Sequence, residues 1–137
     1  MRVFVDTSAI FAVLDGADQN HSLACSRLSH LLSVHALLTT SNYVVVETCA
    51  LLQRRLGTKA LHTFRSEVLP SLHVQWVSPP QHETAFAALL ASGRRKLSLV
   101  DCVSFKLMRD LDLETAFAFD IHFREEGFDC DIPAAAQ

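Results

Sequence analysis

The chain predicts an α/β sandwich built around a mostly parallel sheet of four to five strands, and three observations predict it. Short apolar runs alternate with longer amphipathic segments along the whole length, the order that builds parallel sheets with helical crossovers. The apolar runs are continuous, as in strands buried on both faces. Two of them stop on an aspartate: Val3 to Val5 lead into Asp6, and Ala116 to Phe119 lead into Asp120. In open α/β sheets the crevice beyond the carboxyl ends of the strands is where chemistry is assembled, so these two carboxylates are expected to meet there.

In order along the chain, Val3 to Val5 is the first strand, followed by a short helix from Ser8 to Leu14 that Asp15 and Gly16 close. Asp18 is expected to cap a helix to about Ser33, with Leu23, Ala24, Leu28, Leu31 and Leu32 at helical spacing. Ala36 to Leu38 is a short strand. Thr40 or Ser41 caps the next helix, which ends at Gly57, a residue suited to the position just past a helix. Tyr43 to Val46 has high strand propensity, but length and the stop signal favour the helix. Thr58 opens a helix to Leu69 that Pro70 stops or kinks, and His73 to Val77 is a strand. Pro79 and Pro80 mark a helix start, and Gln81 to Ser92 runs amphipathically to Gly93. Ser98 begins a helix to about Leu111; Thr115 to Phe119 is the last strand, and Ile121 to Glu126 a short acidic helix.

With 137 residues, the chain reads as a single domain, 1–137, that buries roughly two-thirds of its unfolded surface. Half of the residues are hydrophobic and a fifth charged, so some apolar surface is left for a partner. A formal net charge of -3 excludes a uniformly basic coat but not nucleic acid, because a local basic patch still holds phosphates. Cys25, Cys49, Cys102 and Cys130 form no CxxC pair and read as small buried hydrophobes in a reducing compartment. The seven histidines lack zinc-site spacing. No stretch reaches the length of a membrane span and the N-terminus lacks a signal-peptide layout, so a cytoplasmic protein is expected, with no membrane partner.

Two further acids stand in apolar settings: Glu47 after Val44, Val45 and Val46, and Asp101 among Leu99, Val100 and Val103. Each acid also has a plain structural reading. Asp6 and Asp120 can cap the helices that follow them, Ser98 and Asp101 have capping-box spacing, and Glu47 can be an exposed mid-helix residue. As a set of four they point elsewhere, because a charge beside a core needs a partner, and no lysine or arginine lies at contact spacing on the N-terminal side of Glu47. Crowded carboxylates take up a proton or are screened by a cation. Oxygen-only ligands favour Mg²⁺ or Mn²⁺ over zinc.

The blocks VDTSAI, SNYVVVETCALLQRRLG and KLSLVDCVSFKLMRDLDLETAFAFDIHFREEGF resemble those of PIN-domain ribonucleases, and within that family VapC-type toxins of toxin-antitoxin pairs. The resemblance covers nearly the whole chain in order. Its pattern of Asp, Glu, Asp and Asp falls on Asp6, Glu47, Asp101 and Asp120. It implies a PIN-like three-layer α/β/α sandwich, an endoribonuclease dependent on Mg²⁺ with Mn²⁺ as substitute, a homodimer, and a cognate antitoxin lying across the acidic groove. Asp6 is then the central ligand, completed by Asp101 and Asp120, with Glu47 holding a metal-bound water rather than the ion. Thr7 and Ser8 donate to ligating carboxylates; Asn42 and Ser98 are candidates for the same supporting role. Arg94, Arg95 and Lys96 are candidate RNA-backbone contacts, or a solvated loop; Arg54, Arg55 and Lys59 form a second patch, and His122 can face the substrate. The alternatives are a housekeeping or catalytically silent RNA-binding module on the same fold, and a haloacid-dehalogenase-type phosphatase, which normally wants a second Asp where Ser8 stands.

Overall fold

A computed structural model describes residues 1–130. Four parallel strands form one sheet in the order β3-β2-β1-β4: β1 (Arg2–Val5), β2 (Leu37–Ser41), β3 (His73–Gln75) and β4 (Thr115–Phe117). Six α-helices connect them, α1 (Thr7–Leu14), α2 (His21–Ser33), α3 (Asn42–Arg55), α4 (Thr58–Thr63), α5 (Pro79–Ser92) and α6 (Leu99–Asp110), and α7 (His122–Glu125) follows β4. The chain moves outward from β1 through β2 to β3 and then returns to the far side of β1 as β4. With right-handed crossovers, α1 to α4 cover one face of the sheet and α5 and α6 the other, giving the three-layer sandwich. Between β1 and β4 the strand order reverses, and Asp6 and Asp120 follow those two strands. This is the switch point where a parallel sheet opens a crevice.

Phe4, Leu38, Ala116 and Phe117 are buried in the sheet, and Leu107 and Met108 of α6 are buried with them. Short α7 is anchored by Phe123, which has no exposed surface. Its ring packs 5.1 Å from that of Phe105 and 6.3 Å from that of Phe4. The residues just after Asp120 are therefore fixed by the core, although α7 has only four residues.

Several elements end differently from expectation, each for a visible reason. Asp18 does not cap α2, because its carboxylate accepts from the Asn20 N–H in a turn and the helix starts at His21. Of the two candidate caps for α3, Ser41 is the one whose hydroxyl accepts from the Val44 N–H. Strand β3 stops at Gln75 as the Val77 N–H turns to the Asn42 side chain, 2.9 Å away. Strand β4 stops at Phe117, and the Phe119 N–H binds the Ser8 hydroxyl instead. The segment before Pro70 ends α4 at Thr63, then widens into a π-turn over Phe64–Val68 and tightens into a 3₁₀ turn over Leu69–Ser71. Gly57 follows α3 with φ of 89°, a conformation that favours glycine.

Because Phe123 fills a closed aromatic cluster, Phe123→Ala should cost about 3–5 kcal/mol by the usual range for buried Phe truncations. Denaturant unfolding measures it; a loss below about 1 kcal/mol would show that α7 is not held by this contact.

Candidate active site

Asp6 sits at the carboxyl end of β1 and the amino end of α1. Its backbone N–H continues the ladder to the Phe117 carbonyl at 3.1 Å. Its Oδ2 accepts from the Ser8 N–H at 3.1 Å and from the Ser8 hydroxyl at 2.7 Å. That same hydroxyl accepts from the Phe119 N–H at 2.9 Å. One small side chain thus couples the ends of the two strands that carry Asp6 and Asp120. The capping role expected of Asp6 is real, and it also orients the carboxylate.

Asp101 is buried in the first turn of α6, where Ser98 and Asp101 exchange bonds of 3.0 and 3.1 Å in a capping box. The aspartate that closes the box is pinned to one rotamer by it. Asp120 is half-buried, and its Oδ1 accepts from the His122 N–H at 2.9 Å. Glu47 is half-buried on α3. Beside it, the Thr48 hydroxyl donates to Thr7 Oγ1 at 3.1 Å and Thr7 donates to the Val44 carbonyl at 3.4 Å, tying α1 to α3. Asn42 is engaged structurally by Val77, and it also lines a 430 Å³ pocket with Tyr43, Val46, Glu47 and Val100.

The tightest donor group among the described residues is Asp101, Asp120 and His122, with one ligand atom of each within 4.8 Å of the others. Asp6 lies outside this group, although the charge of Asp101 acts on it. Burial, opposed by the two Ser8 bonds and reinforced by Asp101 and Glu47, pushes the Asp6 carboxyl up to about 7. Burial likewise raises Glu47, against the Thr7 hydroxyl and with the charges of Asp101 and Asp120. Asp101 is raised by burial and by Asp120, against its bonds to Ser98. None of these four carboxylates pairs with a lysine or arginine among the described residues. Clustered acids without a basic partner, on fixed rotamers, fit a divalent cation.

Of the basic residues, Arg95 and Lys96 are exposed on the loop before α6. Arg94 instead reaches back to the site, donating to His122 Nδ1 at 2.9 Å and pairing with Glu125. Arg55 lies over the Phe11 ring at 5.9 Å and lines a 290 Å³ cleft that continues past Ser8 to Asp120. The second basic patch therefore touches the acidic site through Arg55. His122 was legible only as a substrate-facing residue; the signal for a closer role was its place two residues after Asp120, in the same turn.

A PIN domain model matches residues 3–128. This chain belongs to the PIN-domain family. It is 35% identical over 127 residues, 92% of its own length and 95% of the relative's, to proteins of two Mycobacterium tuberculosis strains, CDC 1551 / Oshkosh and H37Rv, each named 23S rRNA-specific endonuclease VapC20. The crystal structure of M. tuberculosis VapC20, described as a sarcin-ricin loop cleaving toxin, superposes with a TM-score of 0.80 at 33% identity, covering 92% of this chain and 95% of that one. PIN-domain nucleases hydrolyse RNA, and metal dependence is typical of the family. Among the described residues no helix is long and apolar enough to cross a membrane.

The raised Asp6 carboxyl contributes to how the metal-free PIN domain responds to pH. Its folded pKa of about 7 lies above the ordinary 3.8, so its contribution to stability is full below the ordinary value and is lost as pH rises through 7. In chelator at pH 8, Asp6→Asn should therefore melt several degrees above wild type, with the gap closing as pH falls toward 5. A gap independent of pH over that range would show that Asp6 does not titrate there.

Proposed function

We propose that this PIN domain is a Mg²⁺-dependent endoribonuclease acting as the toxin of a toxin-antitoxin pair. The observation that carries this reading is the convergence of Asp101, Asp120 and His122 within 4.8 Å, beside buried Asp6 and half-buried Glu47, with no lysine or arginine among the described residues paired to the acids. A bound divalent cation activates water and neutralises charge on the phosphoryl oxygens. Asp101 and Asp120 hold the cation through rotamers fixed by Ser98 and by the α7 turn. Asp6, with Oδ2 taken by Ser8, offers Oδ1 to it. Glu47, its proton affinity raised by burial, accepts the proton of the attacking water. Thr7, Ser8 and Ser98 keep these carboxylates oriented.

Arg95 and Lys96 contact the RNA backbone on one side of the site and Arg55 on the other, so phosphates are positioned without reading bases. The name of the M. tuberculosis relative makes ribosomal RNA of the large subunit the first substrate to test. An antitoxin segment lying along the acidic groove silences the enzyme. Exposed Val46, Trp76, Phe86 and Leu90 on α3, α5 and the end of β3 supply apolar surface for a second copy in a homodimer. Action in the cytoplasm accords with four unpaired cysteine thiols.

Chelator should abolish cleavage and Mg²⁺ or Mn²⁺ restore it, while Asp101→Asn or Asp120→Asn lowers the rate by at least about 100-fold with the fold retained. Single-turnover assays with purified ribosomal RNA, run beside circular dichroism, measure both. Full cleavage in excess chelator would refute the metal-dependent reading. Replacing Arg95 and Lys96 by Ala should weaken binding across RNA sequences and flatten the slope of log affinity against log salt by roughly 0.7 per lost contact. An unchanged slope would make this run a solvated loop.

A further inference from the structure

We propose that His122 is a nitrogen ligand of the cation site, held in its ligating orientation by Glu125, and that it tilts the site from Mg²⁺ toward transition-metal dications. This rests on the metal-dependent reading above and goes beyond it, because the four family acids offer oxygen alone. The imidazole is placed with Asp101 and Asp120 inside the 4.8 Å group. It is only 13% exposed, and its backbone N–H is bonded to the Asp120 carboxylate. The adjoining Phe123 ring roots the turn in the core. His122 is therefore fixed relative to Asp120, as a ligand must be.

The surroundings of the ring supply the second half of the case. Nδ1 faces two groups, the Arg94 guanidinium at 2.9 Å and the Glu125 carboxylate at 3.3 Å. A guanidinium only donates, so the Arg94 bond requires a lone pair on Nδ1 and leaves the ring proton on Nε2. A carboxylate only accepts, so the Glu125 bond requires the proton on Nδ1 and leaves the lone pair on Nε2. The second tautomer is the carboxylate–imidazole pairing that accompanies ligating histidines. Arg94 stays anchored in both cases through its own ion pair with Glu125. Ligation of a cation through Nε2, beside Asp101 and Asp120, would require the second tautomer, and the exchange moves one proton within the ring. Imidazole nitrogen suits transition metals, whereas Mg²⁺ is held by oxygen, so the preference follows from the donor set.

The test uses Co²⁺ as the probe, because its visible absorption reports the ligands bound to it. The metal-free full chain is titrated with Co²⁺ by absorbance and calorimetry, and Co²⁺ is then displaced by Mg²⁺. His122→Ala and His122→Gln should each lower the ratio of Co²⁺ to Mg²⁺ affinity by about 10-fold or more and alter the Co²⁺ spectrum. Glu125→Ala, at an exposed position, should lower the ratio in the same direction by a smaller factor while leaving the core untouched. Ratios within about twofold of wild type in all three variants would overturn the inference and leave the acidic metal site standing. A wild-type protein that binds neither ion would overturn that site together with this inference.

Discussion

Everything at the working end of this protein depends on carboxylates placed in poorly solvated positions, with no lysine or arginine among the described residues paired to them. Asp6 is buried at the end of β1, Asp101 is buried at the start of α6, and Asp120 and Glu47 are half-buried nearby. Burial and mutual repulsion raise the proton affinity of Asp6, Glu47 and Asp101. Such an arrangement is unfavourable for folding alone. A bound dication would offset this cost, and such an exchange of stability for binding is typical of a functional site.

The fold makes this concentration possible by geometry. Four acids separated by as much as 114 positions converge because the sheet reverses its strand order between β1 and β4. The Ser8 hydroxyl then fixes the local distance, receiving the Phe119 N–H while donating to Asp6. The Ser98–Asp101 box and the Asp120–His122 turn do the same for the other two aspartates. Capping and the proposed catalytic role are not rival explanations here. The hydrogen bonds that end helices and turns are the ones that hold the carboxylates still.

Much of this was legible in the sequence. Continuous apolar runs stopping on Asp6 and Asp120 gave away two central strands, and the apolar surroundings of Asp101 gave away a helix against the core. The Tyr43–Val46 ambiguity resolved to helix, since Ser41 caps it and Gly57 follows it. Strand ends were less legible because long-range bonds set them: Asn42 withdraws the Val77 N–H, and Ser8 withdraws that of Phe119. The capping role assigned to Asp18 failed because a turn used its carboxylate first. The basic run before α6 split into two kinds of residue, Arg94 folded back on His122 and Glu125, with Arg95 and Lys96 left to solvent. No local pattern distinguishes those fates; they depend on where α7 comes to rest.

The central claim is that the crevice between β1 and β4 holds a divalent cation between Asp101 and Asp120. The most direct measurement is anomalous diffraction at the manganese edge from crystals grown with Mn²⁺. The expected result is one dominant peak within about 2.0–2.4 Å of carboxylate oxygens from both aspartates, the range for hard-cation coordination, that disappears in Asp101→Asn crystals. Occupied density elsewhere on the surface, with none between these two carboxylates at saturating Mn²⁺, would contradict it.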